Sequence, residues 1–165
     1  ETILPTYRKA EVIKALLAAH PYEEPAFDLY PLQNSWQQAG AGVIGELETP
    51  ETELEFLKRI KKTFEVGCLK HNRLTGREIQ TVALCGGAGA FLMLLAIRNR
   101  ADVFITGEIK YHDYFGHDTD ILLAEIGHYE SEQYTKEIFY TIIRDLFPNV
   151  EVQQSKINTN PIKYM

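Results

Sequence analysis

Apolar and polar positions along this chain switch between two periods, and the switches divide it into elements. Residues 79–85, 102–106 and 121–126 are short, mostly apolar stretches that close on glycine; all three read as strands, and the run 121–126 as a buried one. Residues 43–47 and 67–69 read as two further strands, and 71–76 as a polar turn. Helical spacing carries Leu54, Leu57 and Ile60 on to about Phe64. Thr49 fits the N-cap of that helix, Pro50 its first position, and Glu51 and Glu53 its positive end. Residues 90–99 are apolar nearly all round, which predicts a helix buried on two sides. Further on, Ile138, Phe139, Ile142, Ile143 and Leu146 mark a long helix ending near Phe147, with a last strand at 150–153.

The N-terminal stretch has its own pattern: a strand over 1–4, an amphipathic helix from about Thr6 to His20, and a strand over 26–32. Pro21 and Pro25 end the helix, since neither can continue it. This unit has too little apolar face to stand alone, and the polar, glycine-flanked stretch 33–42 is the candidate domain boundary. The fold class expected is α/β: a mixed, largely parallel sheet with helices on both faces, plus a partial ferredoxin-like βαβ unit at the N-terminus.

Composition narrows the function. Hydrophobic residues make up 45% and charged residues 24%, an ordinary globular balance. A net charge of −6 with no Lys/Arg run argues against nucleic acid as a partner. The longest apolar stretch, 88–97, is too short to span a bilayer, so no membrane partner is expected. Two cysteines imply no disulfide framework, and a reducing cytoplasm is the expected location.

Three predicted strands end in glycine followed by chemically unusual residues: Cys85-Gly86-Gly87, Thr106-Gly107-Glu108 and Ile126-Gly127-His128. Strands joined by helices run parallel, so these three ends share one edge of the sheet, where α/β folds place ligand crevices. His128 and Glu132, four residues apart at the start of a helix, suit a borderline cation such as zinc, manganese or iron. Blander roles exist for each residue. A carboxylate in a first helical turn can simply complement the helix dipole, and Gly86, Gly87 and Gly89 can simply permit a tight turn, with no Walker spacing after them. Cys85 fits a small buried filler, Lys110 and His112 a solvated face, and His71 and His117 the surface.

The set Cys85–Gly89, Thr106–Asp113 and Gly127–Glu132, in this order and spacing, closely resembles the Nif-three-like family, whose members are also named GTP cyclohydrolase I type 2 homologues. His20-Pro21-Tyr22-Glu23-Glu24-Pro25-Ala26 resembles the second half of the PII-like domain inserted in the longer bacterial members. Two positions depart from the family pattern: Glu108 stands where Asp is usual, and Ala88 where Ser is common.

The resemblance implies a site for two divalent metal ions, with His128 and Glu132 as ligands beside two histidines and an Asp from an N-terminal half. Those latter ligands have no counterpart here, so residues 1–38 are expected to be a remnant of the inserted domain and 39–165 the C-terminal half of the α/β domain. It further implies a homo-oligomer, a ring-shaped hexamer in the full-length form. The function expected is metal-dependent hydrolysis of a nucleotide-like small molecule. Within it, His112 or Asp113 would move protons or hold the His128 ring, and Gly86, Gly87, Gly107 and Lys110 would line the substrate pocket. A non-catalytic, regulatory metal- or ligand-binding oligomer is the alternative.

Overall fold

The computed structural model describes residues 2–33 and 39–165. The chain divides into two compact units, Glu1–Gln37 and Gln38–Met165. In the first, a 3-10 turn over Thr6–Arg8 leads into helix α1, Lys9–Ala19. Arg8 and Glu11 form an exposed ion pair of 2.8 Å across its first turn, and the His20 N–H closes the helix on the Leu16 carbonyl before Pro21. The strands expected over 1–4 and 26–32 are not seen: residues 2–4 and 26–32 join no ladder among the described residues. A strand exists only where a neighbour takes its backbone groups, and no such neighbour is found among the described residues, so the expected βαβ unit is not confirmed. Of the boundary at 33–42, residues 34–38 lie outside the described residues.

The second unit is built on a five-stranded sheet of β1 (Val43–Thr52), β2 (Lys70–His71), β3 (Glu78–Cys85), β4 (Val103–Thr106) and β5 (Leu122–Glu125), in the order β1-β3-β4-β5-β2. The three central strands run parallel, and β1 and β2 lie antiparallel at the edges. The α/β class and the mixed sheet therefore hold.

Alternate residues of the central strands feed two cores. Val103, Ile105, Leu122 and Ala124 meet Phe56 and Ile60 of helix α2 (Glu53–Thr63) on one face. Phe104, Ile121 and Leu123 meet Met93 and Ala96 of helix α3 (Met93–Arg98) on the other.

Five features differ from the sequence reading. Strand β1 runs on to Thr52, pairing as far as Thr52 with Glu78, with an irregular register between Glu46 and Glu51. Pro50, which has no N–H to give, falls inside that irregularity. The cap of α2 is therefore Thr52 rather than Thr49: its hydroxyl accepts the Glu55 N–H, and the Glu55 carboxylate reaches back to the Thr52 N–H, a capping box. The short edge strand lies at 70–71 instead of 67–69, next to buried Asn72, whose side chain accepts the Leu123 N–H (2.8 Å) and donates to the Ile121 carbonyl (3.0 Å). The long helix after residue 126 is two helices, α4 (His128–Glu132) and α5 (Thr135–Leu146), and no strand forms at 150–153.

The 90–99 segment is a 3-10 turn over Gly89–Leu92 followed by α3, buried on one side only, with Phe91 70% exposed and Leu94 and Leu95 also exposed. Its all-round apolar pattern thus leaves an uncovered face. Among the described residues, no helix is long and apolar enough to cross a membrane.

Candidate metal centre

The ends of β3, β4 and β5 do lie together on one edge, and their loops are cross-linked through Gly87. That residue adopts φ +61°, a conformation that favours glycine. Its N–H donates to the Ser131 hydroxyl (2.9 Å), and its carbonyl accepts from the Gly89 N–H (3.0 Å), the Glu108 N–H (3.1 Å) and the Thr106 hydroxyl (3.2 Å). Ser131 in turn donates to the His128 carbonyl (2.8 Å). Gly107 packs so closely that a Cβ there would meet the Gly87 carbonyl and the Ser131 hydroxyl, each at 2.7 Å. These glycines weld the three loops together.

Gly127, with φ +96°, caps helix α4 and turns the chain from β5 into His128. The spacing of four along α4 sets Glu132 beside His128, with Nε2 3.2 Å from the carboxylate. The other ring nitrogen, Nδ1, lies 2.8 Å from Oε1 of Glu108. His128 and Glu132 remain about half exposed, at 44% and 53% of their side chains, so they sit on an open rim and not inside a closed cavity. A Cβ on Gly87 would run into the Glu132 carboxylate and come within 3.3 Å of Nε2. The absence of a side chain at 87 keeps the space over both donors clear.

The imidazole thus stands between two carboxylates. The hydrogen bond to Glu108, aided by the charges of Glu132 and Glu108, outweighs desolvation and holds its pKa above the ordinary 6.5. A cation on Nε2 would replace that proton. An imidazole nitrogen and a carboxylate side by side are the donor types that zinc, manganese and iron accept. Among the described residues, no group of three or more His, Cys, Asp and Glu is arranged to hold a metal. The donors present fit part of a centre.

The remaining candidates are placed as follows. His112 and Asp113 lie in a 3-10 turn over Tyr111–Tyr114, where the exposed His112 ring packs against Tyr111 and Phe115. Among the described residues neither side chain hydrogen-bonds to His128, and Glu108 occupies the ring-holding position instead. Lys110 is exposed at the start of that turn. Gly86, Gly87 and Gly107 gather around Ser131 and Glu132. Cys85 is buried, and burial followed by the nearby Glu132 charge pushes its thiol pKa up, in keeping with a filler and not a nucleophile. His117 is half-buried, with Nδ1 3.6 Å from the Asp120 carboxylate.

Sequence reasoning gave Glu108, Ser131 and Thr106 no role in the site, although all three lie in the motifs it singled out. It also missed Glu125, a buried carboxylate at the end of β5 that pairs with Lys70 (2.6 Å) and accepts the Tyr114 hydroxyl (2.8 Å). A polar residue in an otherwise apolar strand run was the available signal at Thr106, which closes its run, and at Glu125, which interrupts one just before Ile126.

Residues 6–161 match the family described as Duf34/NIF3 (NGG1p interacting factor 3). A relative from Halalkalibacterium halodurans named "GTP cyclohydrolase 1 type 2 homolog" is 36% identical over the whole of this chain and 45% of its own length. A crystal structure of a Staphylococcus aureus protein superposes with a TM-score of 0.80 at 30% identity, covering 100% of this chain and 55% of that one. A Bacillus cereus protein related to NIF3 superposes with a TM-score of 0.74 at 30% identity, over 98% of this chain and 46% of that one. This chain spans about half the length of the relatives it matches.

Proposed function

The chain belongs to the Duf34/NIF3 family, and from that premise we propose that it contributes His128 and Glu132 to a divalent-metal centre, dinuclear in the full-length protein, that serves a hydrolase acting on a nucleotide-like substrate. The observation that carries this reading is the pair itself: Nε2 of His128 and the Glu132 carboxylate side by side at 3.2 Å, under a glycine that leaves their approach open. The chemistry such a centre supplies is polarisation of a substrate oxygen and acidification of water. His128 offers a neutral nitrogen and Glu132 a charge, while Gly87 and Ser131 hold α4 against the β3 loop so that both donors face the same space. In this reading His112 or Asp113 would carry a proton away. The remaining donors would come from the part of the relatives' length that this chain does not span. GTP as substrate rests on the relatives' name alone.

Offering GTP and other nucleotides to the full-length protein, with and without chelator, tests this. Turnover lost on chelation and in both His128→Ala and Glu132→Ala supports it; turnover indifferent to chelator overturns it. A regulatory, non-catalytic role is the second reading, and it draws support from the exposure of the donor pair on an open rim. Ligand-dependent thermal stabilisation without turnover favours that role.

A further inference from the structure

Resting on the metal reading above, we propose that Glu108 is the positioning residue of this centre: it accepts the Nδ1 proton of His128 and so commits Nε2 to the cation. Three observations carry it. The Glu108 carboxylate lies 2.8 Å from Nδ1, within the range of a charge-assisted hydrogen bond. Glu108 is itself anchored, because its N–H donates to the Gly87 carbonyl at 3.1 Å and Gly107 before it packs within 3.0 Å of the His128 Cα, measured from a Cβ position. Nε2, on the other side of the ring, faces Glu132.

An imidazole with a free choice divides its proton between two nitrogens and rotates about its bond to Cβ. A carboxylate on Nδ1 ends both freedoms and makes Nε2 a stronger donor. The two ring nitrogens point away from each other, so a Glu108 carboxylate engaged at Nδ1 acts on the cation only through the ring. The same hydrogen bond links the β4 end to the β5 end across the site, which neither His112 nor Asp113 does.

The test measures zinc stoichiometry and affinity in the full-length protein, by elemental analysis and by competition with a chelator of known affinity. Glu108→Ala should keep the number of zinc ions bound and weaken their affinity by about 10–100-fold. Glu108→Gln, which keeps an acceptor oxygen at the same reach but loses the charge, should recover part of that loss. In a His128→Ala background Glu108→Ala should add nothing, because its effect passes through the ring. Loss of a zinc ion in Glu108→Ala would make Glu108 a direct ligand and overturn the proposal, as would unchanged affinity in both variants. If the alanine variant unfolds, the glutamine variant decides: weakened zinc with full occupancy supports the proposal, and affinity equal to wild type overturns it. Zinc content unchanged in His128→Ala alone would instead sink the metal reading beneath it.

Discussion

The Ser131 hydroxyl accepts the Gly87 N–H at 2.9 Å while donating to the His128 carbonyl at 2.8 Å, so one side chain joins the β3 loop to the helix that presents the donor pair. Gly87 is buried, and water has little access to its N–H. Ser131→Ala should therefore leave an unsatisfied donor and cost about 1–3 kcal/mol in urea denaturation. Ser131→Thr retains the hydroxyl and should cost less; equal losses would mean that the hydrogen bond is not the source of the effect.

Gly87→Ala tests the same knot from the other side. Alanine at positive φ costs about 1–2 kcal/mol, and its methyl would strike the Glu132 carboxylate. Stability should fall by about that amount, and metal content of the full-length protein should fall with it, since Glu132 must swing away from Nε2. Wild-type metal content in a folded Gly87→Ala variant would show that the open space over the pair is not used.

His128 and Glu132 are both near half exposed and neither belongs to either core. His128→Ala and Glu132→Ala should each lower the metal content of the full-length protein while leaving the thermal midpoint of the metal-free chain within a few degrees. The present chain, offering these two donors, should bind zinc far more weakly than full-length protein, because each missing ligand leaves the cation to water. Unchanged stoichiometry in both variants would remove them as ligands.

The central strands and the edge they share were legible because strands buried in a parallel sheet are mostly apolar, and glycine after each marks where the chain must turn tightly. The cap of α2 was misplaced by three residues. Thr49-Pro50-Glu51 carries the same local signals as Thr52-Glu53-Leu54-Glu55, and the choice between them is made by β1 pairing with β3 out to Glu78, a long-range event. Glu108 was passed over as a partner of His128 because twenty residues of sequence separate them, with no periodicity to connect them. Their contact exists only once β4 and β5 are adjacent. The uncovered side of α3 illustrates the reverse case: an apolar residue announces that it wants a partner but not whether this chain supplies one.

The apolar faces left open predict self-association. Ile138, Phe139, Ile142 and Leu146 of α5 are exposed, as are Phe91, Leu94 and Leu95 around α3. Exposed apolar surface of this extent is uncommon on a lone monomer. Light scattering of the isolated chain should show mass rising with concentration, and Phe139→Glu together with Leu94→Glu should reduce it. A single monomeric mass at high concentration, unchanged by these substitutions, would count against the prediction.

Proton and cation compete for His128, and the sign of each effect follows from its raised pKa. With no metal present, the imidazolium is held first by the Glu108 hydrogen bond and then by the charges of Glu132 and Glu108. That stabilisation is fully present below the ordinary value near 6.5 and disappears as pH rises through the higher folded value. The urea midpoint of the metal-free chain should therefore exceed that of His128→Ala at pH 5–6, and the gap should close in alkaline solution. Zinc affinity of the full-length protein should run the other way, falling as acid restores the proton to Nε2, with a midpoint above 6.5 by chelator competition. In Glu108→Ala that midpoint should move down, because the largest cause of the raised value is gone. A zinc-binding midpoint at or below 6.5 in the wild type would show that the two carboxylates do not control this ring.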